Sequence, residues 1–328
     1  MDPKAEIAIE CDPNLLSLEK VRELGAMGFN RLSIGIQDFD EKVLAAVNRK
    51  FPKVAPKELF RVARESGFSG NNLDLIYGLP YQTPESFRTA VEKTIDAAPD
   101  RISLFPYAHV PWVKGHQSLL KALPMAGVQE RLDIAWESRK TLMEAGFVPI
   151  GMDHFARPED ELAIAANSRG LHRNFQGYCT AARAGQVYAL GASAISQLHE
   201  GYIQNAKDLD RYLSLVQADH LSHEVAHRMR PQDMAVRNII NGLLCDDEVD
   251  VQSCLDAENL ESEWKTAYLV EAKTNLAPLI EDGLAAFVGN EIHLTENGHY
   301  ASRAVASAFD PMLKPKEAKT QPQYSQAL

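Results

Sequence analysis

The chain has 328 residues, 45% of them hydrophobic and 24% charged, the proportions of an ordinary soluble globular protein with room for a large domain and a small one. A net charge of −11 argues against nucleic-acid binding, because most of the surface would repel a phosphate backbone. No stretch approaches the roughly 20 apolar residues that span a bilayer and the N-terminus has no signal pattern, so no membrane partner is expected and the cytoplasm is the expected compartment.

The first half alternates strand and helix signals. Glu6–Glu10 reads as a strand, then Ser17–Gly25 as a helix with Leu18, Val21 and Leu24 on one face and Gly25 as its stop. Arg31–Gln37 is the next strand, and Glu41–Val47 and Lys57–Glu65 are helices. Asn72–Tyr77 is a strand stopped by Gly78 and Pro80, after which Thr83 caps a helix with Pro84 at its first position, running to Ala97. Arg101–Tyr107 is a strand, Val128–Glu144 a longer helix and Phe147–Met152 a further strand. This βαβ order demands a parallel sheet with right-handed crossovers. Asp153–Gln197 is polar and rich in loops, and helical signals return from Gln217. Asn275–Thr295 reads as a helix and a hairpin turning at Gly289–Asn290, and Glu296–Asp310 as a last helix, an order that suggests a winged-helix-like C-terminal domain. Three segments are expected: residues 1–215, a helical domain at 216–312 and a polar tail at 313–328.

In a parallel β/α fold, ligands sit at the carboxyl ends of the strands. Glu10 and Gln37 end the first two strands, Arg49 follows the second, Tyr107 and Ala108 end the fourth, and Asp74 lies inside an otherwise apolar strand, where an unpaired carboxylate is costly. Glu10, Gln37 and Asp74 together suit a ligand with hydroxyls and an ammonium, although each also suits a helix cap or an arginine pair. Gly151–Pro158 (GMDHFARP) and His172–Tyr178 (HRNFQGY) have the composition of binding loops. There His154, Arg157, His172 and Arg173 suit carboxylates, and Phe155, Phe175 and Tyr178 offer flat apolar surface, a mix that fits a large polyanionic ligand.

A sharper-looking signal is His223–His227, a literal H-E-x-x-H. On a helix, His223 and His227 would share a face for zinc, with Glu224 as general base. The metzincin continuation fails, since Arg230 and Asp233 stand where Gly and the third His belong, and the motif often arises by chance. The four cysteines, Cys11, Cys179, Cys245 and Cys254, include no CxxC pair and read as reduced thiols.

The series EIAIE, GFNRLSIGIQDFD, VNR, NNLDLIYGLPYQTPESF, DRISLFPYAHVP, GMDHFARPEDELA, LHRNFQGY and GASAIS resembles the oxygen-independent coproporphyrinogen III oxidase family from Ala5 to Pro311. The resemblance implies a partial radical S-adenosylmethionine (SAM) (β/α) barrel, two bound SAM molecules, a 4Fe–4S cluster and a porphyrinogen substrate. It implies oxidative decarboxylation of two propionates to vinyl groups in haem biosynthesis. Glu10, Gln37, Arg49, Asp74, Ala108 and Ile195 match family SAM-contacting positions, and Gln176 one near the second SAM or the substrate; His154, Arg157 and Arg173 as propionate partners are an inference from their chemistry. The family's three-cysteine cluster loop has no counterpart in this chain and would lie upstream of Met1, so a missing N-terminal segment or separate chain is expected, as is inactivity of the chain alone. The scattered cysteines cannot reproduce three thiolates on one short loop. Two alternatives are a non-catalytic porphyrin- or SAM-binding protein and a zinc hydrolase using His223, Glu224 and His227.

Overall fold

The computed structural model describes residues 5–174, 177–180, 185–289 and 291–313. They divide into two compact units that meet in sequence between Ile164 and Ala165.

The first unit is built on a six-stranded sheet of order β1-β2-β3-β4-β6-β5. Its strands are β1 (Ala8–Cys11), β2 (Arg31–Gln37), β3 (Gly70–Tyr77), β4 (Arg101–Pro106), β5 (Val148–Ile150) and β6 (His154–Ala156). β1 to β4 are mutually parallel, and β6 runs antiparallel to β4 and to β5. The crossovers are helical: α1 (Leu18–Ala26), α2 (Glu41–Ala46), α3 (Pro56–Glu65), α4 (Pro84–Ala97) and α5 (Val128–Glu144). Their starts follow capping chemistry. Ser17 accepts from the Lys20 amide, Asp40 from those of Lys42 and Val43, and Thr83 forms a reciprocal capping box with Ser86 ahead of Pro84. The single strand expected at Phe147–Met152 is a tight β5–β6 pair instead, turned at Gly151, whose φ is +53°.

The two faces of this sheet differ. Leu32, Ile34, Ile36, Leu73, Leu75, Ile102 and Leu104 are buried on one face, and the helices bury Val21, Leu24, Leu59, Phe60, Phe87, Val91, Ile134 and Leu142. The other face carries Ser33, Gly35, Asn72, Asp74, Ser103 and His154, which the strand register sets side by side. A parallel sheet is ordinarily apolar on both sides. A polar face here marks a surface that fronts a ligand or solvent.

α6 (Glu161–Asn167) carries the chain into the second unit. Here β7 (Leu171–Asn174) and β8 (Gly177–Thr180) form a hairpin, so the expected HRNFQGY loop is two paired strands, with Phe175 and Gln176 outside the described residues. β9 (Ile195–Leu198), β10 (Gly201–Asn205) and β11 (His223–Arg228) form an antiparallel sheet flanked in sequence by α7 (Leu209–Gln217). Because β10 pairs with β11 across residue 215, the domain boundary expected there falls inside one sheet. α8 (Pro231–Asp246), α9 (Val251–Asp256) and α10 (Ser262–Glu281) then precede the hairpin of β13 (Ala285–Val288) and β14 (Glu291–Leu294), to which β12 (Glu248–Asp250) adds a third strand. This is the winged-helix-like order expected from sequence. The last helix is broken into α11 (Glu296–Tyr300) and α12 (Ser302–Ser307) at Ala301, whose ψ of 17° departs from the helical range.

Candidate active site

The polar face of the first unit is a connected network. The Asn72 side-chain amide donates to Asp74 Oδ1 at 2.7 Å, to Ser33 Oγ at 2.9 Å and to Ser103 Oγ at 3.2 Å. Alternation along β3 places Asn72 and Asp74 on the same side, and Ser33 and Ser103 flank Asn72 on β2 and β4. Burial raises the Asp74 carboxyl above its ordinary value. Hydrogen bonding to Ser103 and Asn72 pulls it back, the Glu10 carboxylate on β1 raises it further and His154 on β6 lowers it. Glu10 and His154 therefore both act on Asp74 across this face. His154 is held by Asp153, its Nδ1 lying 2.7 Å from Oδ1, and packs edge-on against Phe105.

At the carboxyl end of β2 the chain turns through Gln37 in a left-handed conformation, φ 70°, which non-glycine residues seldom adopt. Gln37 is buried and its Oε1 has no hydrogen-bond partner among the described residues. Its Nε2 lies where a Cβ on Gly35 would stand, and Arg49 Nη1 donates to the Gly35 carbonyl at 2.9 Å. Gly35 is the register partner of Asp74, so Gln37, Arg49 and Asp74 converge where a larger residue would separate them. The next residue, Asp38, is buried and accepts from Gln82 Nε2 at 2.5 Å; Gln82 also donates to the Ile76 carbonyl and accepts from the Leu79 amide. This clamp fixes the ends of β2 and β3 together, with burial raising the Asp38 carboxyl. Beyond β4, Ala108 is exposed and its carbonyl accepts from Gln117 Nε2 at 3.1 Å, which ties the loop down.

The structure does not bring Arg157 to this cluster. Its amide donates to the Asp100 carbonyl, just before β4 begins, and its guanidinium lies 4.0 Å over the Phe147 ring and donates to the Ala145 carbonyl. That is the opposite end of the sheet from Gln37 and Ala108. Ile195 and Arg173 belong to the second unit. Ile195 begins β9 opposite Gln204, and Arg173 lies over the Tyr178 ring, 5.7 Å away. His172 is held below its usual value by burial and by Arg237, which favours its neutral form. Gln176 lies outside the described residues. Sequence reasoning missed Ser33, Asn72 and Ser103, although the alternation in Asn72–Tyr77 carried the signal for Asn72.

The zinc reading fails on geometry. His223, Glu224 and His227 lie on β11, not on a helix. Four residues of strand separate the two histidines by about 13 Å, too far to share one ion. The Glu224 carboxylate lies 3.4 Å from Arg211 Nε. Among the described residues, Glu248, Glu291 and His293 alone have metal-ligand spacing. Their contacts with one another and with Arg169 account for them, since both His293 nitrogens meet a carboxylate and Arg169 pairs with Glu248.

A profile of the radical SAM superfamily matches residues 1–94, the segment that holds Glu10, Gln37, Arg49 and Asp74. The solved coproporphyrinogen III oxidase of Escherichia coli, described as a radical SAM enzyme, superposes with a TM-score of 0.87 at 38% identity over 95% of this chain and 71% of that one. A polar face on parallel strands, with this match, defines a radical SAM fold. In sequence, the chain is 39% identical over 95% of its length to the oxygen-independent coproporphyrinogen III oxidase of Salmonella typhimurium, covering 67% of that protein. It is 36% identical to the one of Thermostichus vulcanus, covering 98% of each. The chain belongs to the oxygen-independent coproporphyrinogen III oxidase family.

Radical SAM enzymes use SAM and a 4Fe–4S cluster. The residues here fit SAM: a buried amide oxygen without a partner among the described residues, a guanidinium and two carboxylates lie on or beside the polar face of the sheet. They do not fit the cluster. Cys11 is on β1, whereas Cys179, Cys245 and Cys254 lie on β8, α8 and α9 of the other unit, and no cysteine belongs to a group with metal-ligand spacing among the described residues.

Proposed function

We propose that this chain binds SAM and coproporphyrinogen III for the oxidative decarboxylation of two propionates to vinyl groups, giving protoporphyrinogen IX. The observation that carries the reading is the convergence of Gln37, Arg49 and Asp74 around Gly35, with Glu10 close enough to shift Asp74. When bound, SAM supplies the hydrogen-abstracting group for such a reaction. The chain's residues hold and orient it. Arg49 suits its carboxylate, Asp74 and Glu10 its ammonium and ribose hydroxyls, and Gln37 Oε1 a further donor. Ala108 offers main-chain contacts; Ile195 and Gln176 are the further positions that match the family's set. His154 and Arg173 suit substrate propionates; Arg157, engaged with Phe147, is better assigned a structural role.

No helix among the described residues is long and apolar enough to cross a membrane. We place the protein in the cytoplasm, with a porphyrinogen and no nucleic acid or membrane as its partner. A second reading, a SAM- and porphyrin-binding protein without catalysis, is favoured by the cysteines, which do not fit a cluster. Calorimetric titration with SAM, together with fluorescence titration with coproporphyrin III, tests the first reading. Saturable binding of both is expected, and a chain that binds neither is not what we propose. Activity after anaerobic cluster reconstitution separates the two readings.

A further inference from the structure

Arg131 is an unusual residue for its position. It stands in the first turn of α5, its amide donating to the Gly127 carbonyl, where the positive end of the helix dipole disfavours a cation. Among the described residues no carboxylate pairs with it, although the chain carries 45 acidic residues against 34 basic ones. It is half-buried, and its Nε is buried with no acceptor. An unpaired, part-buried guanidinium in such a place costs stability unless something anionic meets it.

The surroundings match that requirement. Gly78, just past the end of β3, has a φ of +83°, and a Cβ there would stand 3.0 Å from Arg131 Cδ and 3.8 Å from Tyr107 Cβ. The bare glycine thus seats both side chains at the carboxyl end of the sheet. Tyr107 is anchored by its amide, which donates to the Tyr77 carbonyl at 2.8 Å, but its hydroxyl is buried without a partner among the described residues. The His109 ring lies 5.8 Å from that of Tyr107, and His109 Nδ1 is likewise buried and unpartnered. Three polar groups without partners among the described residues therefore gather at the rim where β/α folds bind ligands.

We infer that Arg131, with Tyr107 and His109, forms a carboxylate-binding subsite that takes a propionate of the porphyrinogen. This rests on the proposed substrate. The SAM carboxylate is the less suitable occupant, because Arg49, held at Gly35, is the cation assigned to it. Arg131 supplies the planar fork that a carboxylate accepts, Tyr107 a hydroxyl donor and His109 a second donor.

The test is fluorescence titration of the full chain with coproporphyrin III and calorimetric titration with SAM, for wild type, Arg131→Gln, Arg131→Lys and Tyr107→Phe. Losing hydrogen bonds to a charged group predicts about ten- to a hundredfold weaker porphyrin binding in Arg131→Gln, with SAM affinity unchanged. Arg131→Lys keeps the charge and recovers part of the loss; Tyr107→Phe loses about three- to tenfold. Thermal unfolding separates this from a structural role: Arg131→Gln removes a cation from a helix N-terminus and leaves the midpoint unchanged or higher. Wild-type affinity for porphyrin in Arg131→Gln, or a loss confined to SAM, overturns the subsite alone. A wild-type chain that binds no porphyrin overturns the substrate reading and the subsite with it.

Discussion

Asp74→Asn removes a charge and keeps the shape. Asp74 is half-buried, and the Asn72 amide and the Ser103 hydroxyl face it. A carboxylate has about four acceptor sites, so one or two remain for a ligand ammonium or hydroxyl. Loss of a hydrogen bond to a charged group costs about 1.5–3 kcal/mol, which is roughly ten- to a hundredfold or slightly more in SAM affinity. Stability should move the other way. Because the folded-state value is raised, the folded chain binds the proton more tightly than the unfolded chain. The resulting stabilisation is present below the ordinary carboxylate range and is lost as pH rises through the raised value. At neutral pH that stabilisation is missing and Asp74 weakens the fold relative to low pH, which Asp74→Asn relieves; near pH 3 the two proteins should unfold alike. Calorimetry with SAM and urea unfolding at the two pH values read both effects. A variant that binds SAM as tightly as wild type, or is less stable at neutral pH, refutes the reasoning.

Other expectations follow from the same structure. Anaerobic reconstitution with iron and sulfide should leave the chain without a stoichiometric 4Fe–4S cluster, as read by iron and acid-labile sulfide assays, because its cysteines lie on separate elements. Metal analysis should find no stoichiometric zinc, and His223→Ala with His227→Ala should change neither stability nor SAM binding, since the two residues are exposed on one strand. Burial pushes the Cys245 thiol up to about 12, so it should resist alkylation at pH 8 in the folded chain and react at once in urea, followed by mass spectrometry. Gly298→Ala should destabilise the second unit by several kcal/mol in urea unfolding, because its Cβ would overlap the Leu284 carbonyl.

The first unit was legible because its signals are local. Ser17, Asp40 and Thr83 cap helices that begin where those residues stand, and Asn72–Tyr77 alternates as a strand with one polar side. Glu10 and Gln37 could be read as ligand-facing because strand ends are where a β/α fold exposes side chains, Arg49 because it follows such an end, and Asp74 because an unpaired carboxylate inside an apolar strand is costly. What failed depended on partners distant in sequence. His223–Arg228 has the composition of a solvated helix, yet becomes a strand because β10 is there to pair with it. Arg157 looks like an anion ligand until the turn at Gly151 reverses the chain and carries it to the far end of β4. Arg131 was invisible, since a basic residue on a helix is unremarkable until it is seen that, among the described residues, no carboxylate pairs with it.

The central claim is that SAM binds at the carboxyl ends of β2 and β3. Hydrogen exchange with and without saturating SAM tests it most directly. The account predicts slowed exchange at residues 35–38 and 74–78, with little change in α9 and α10. Protection confined to the second unit, or none at saturation, would contradict it.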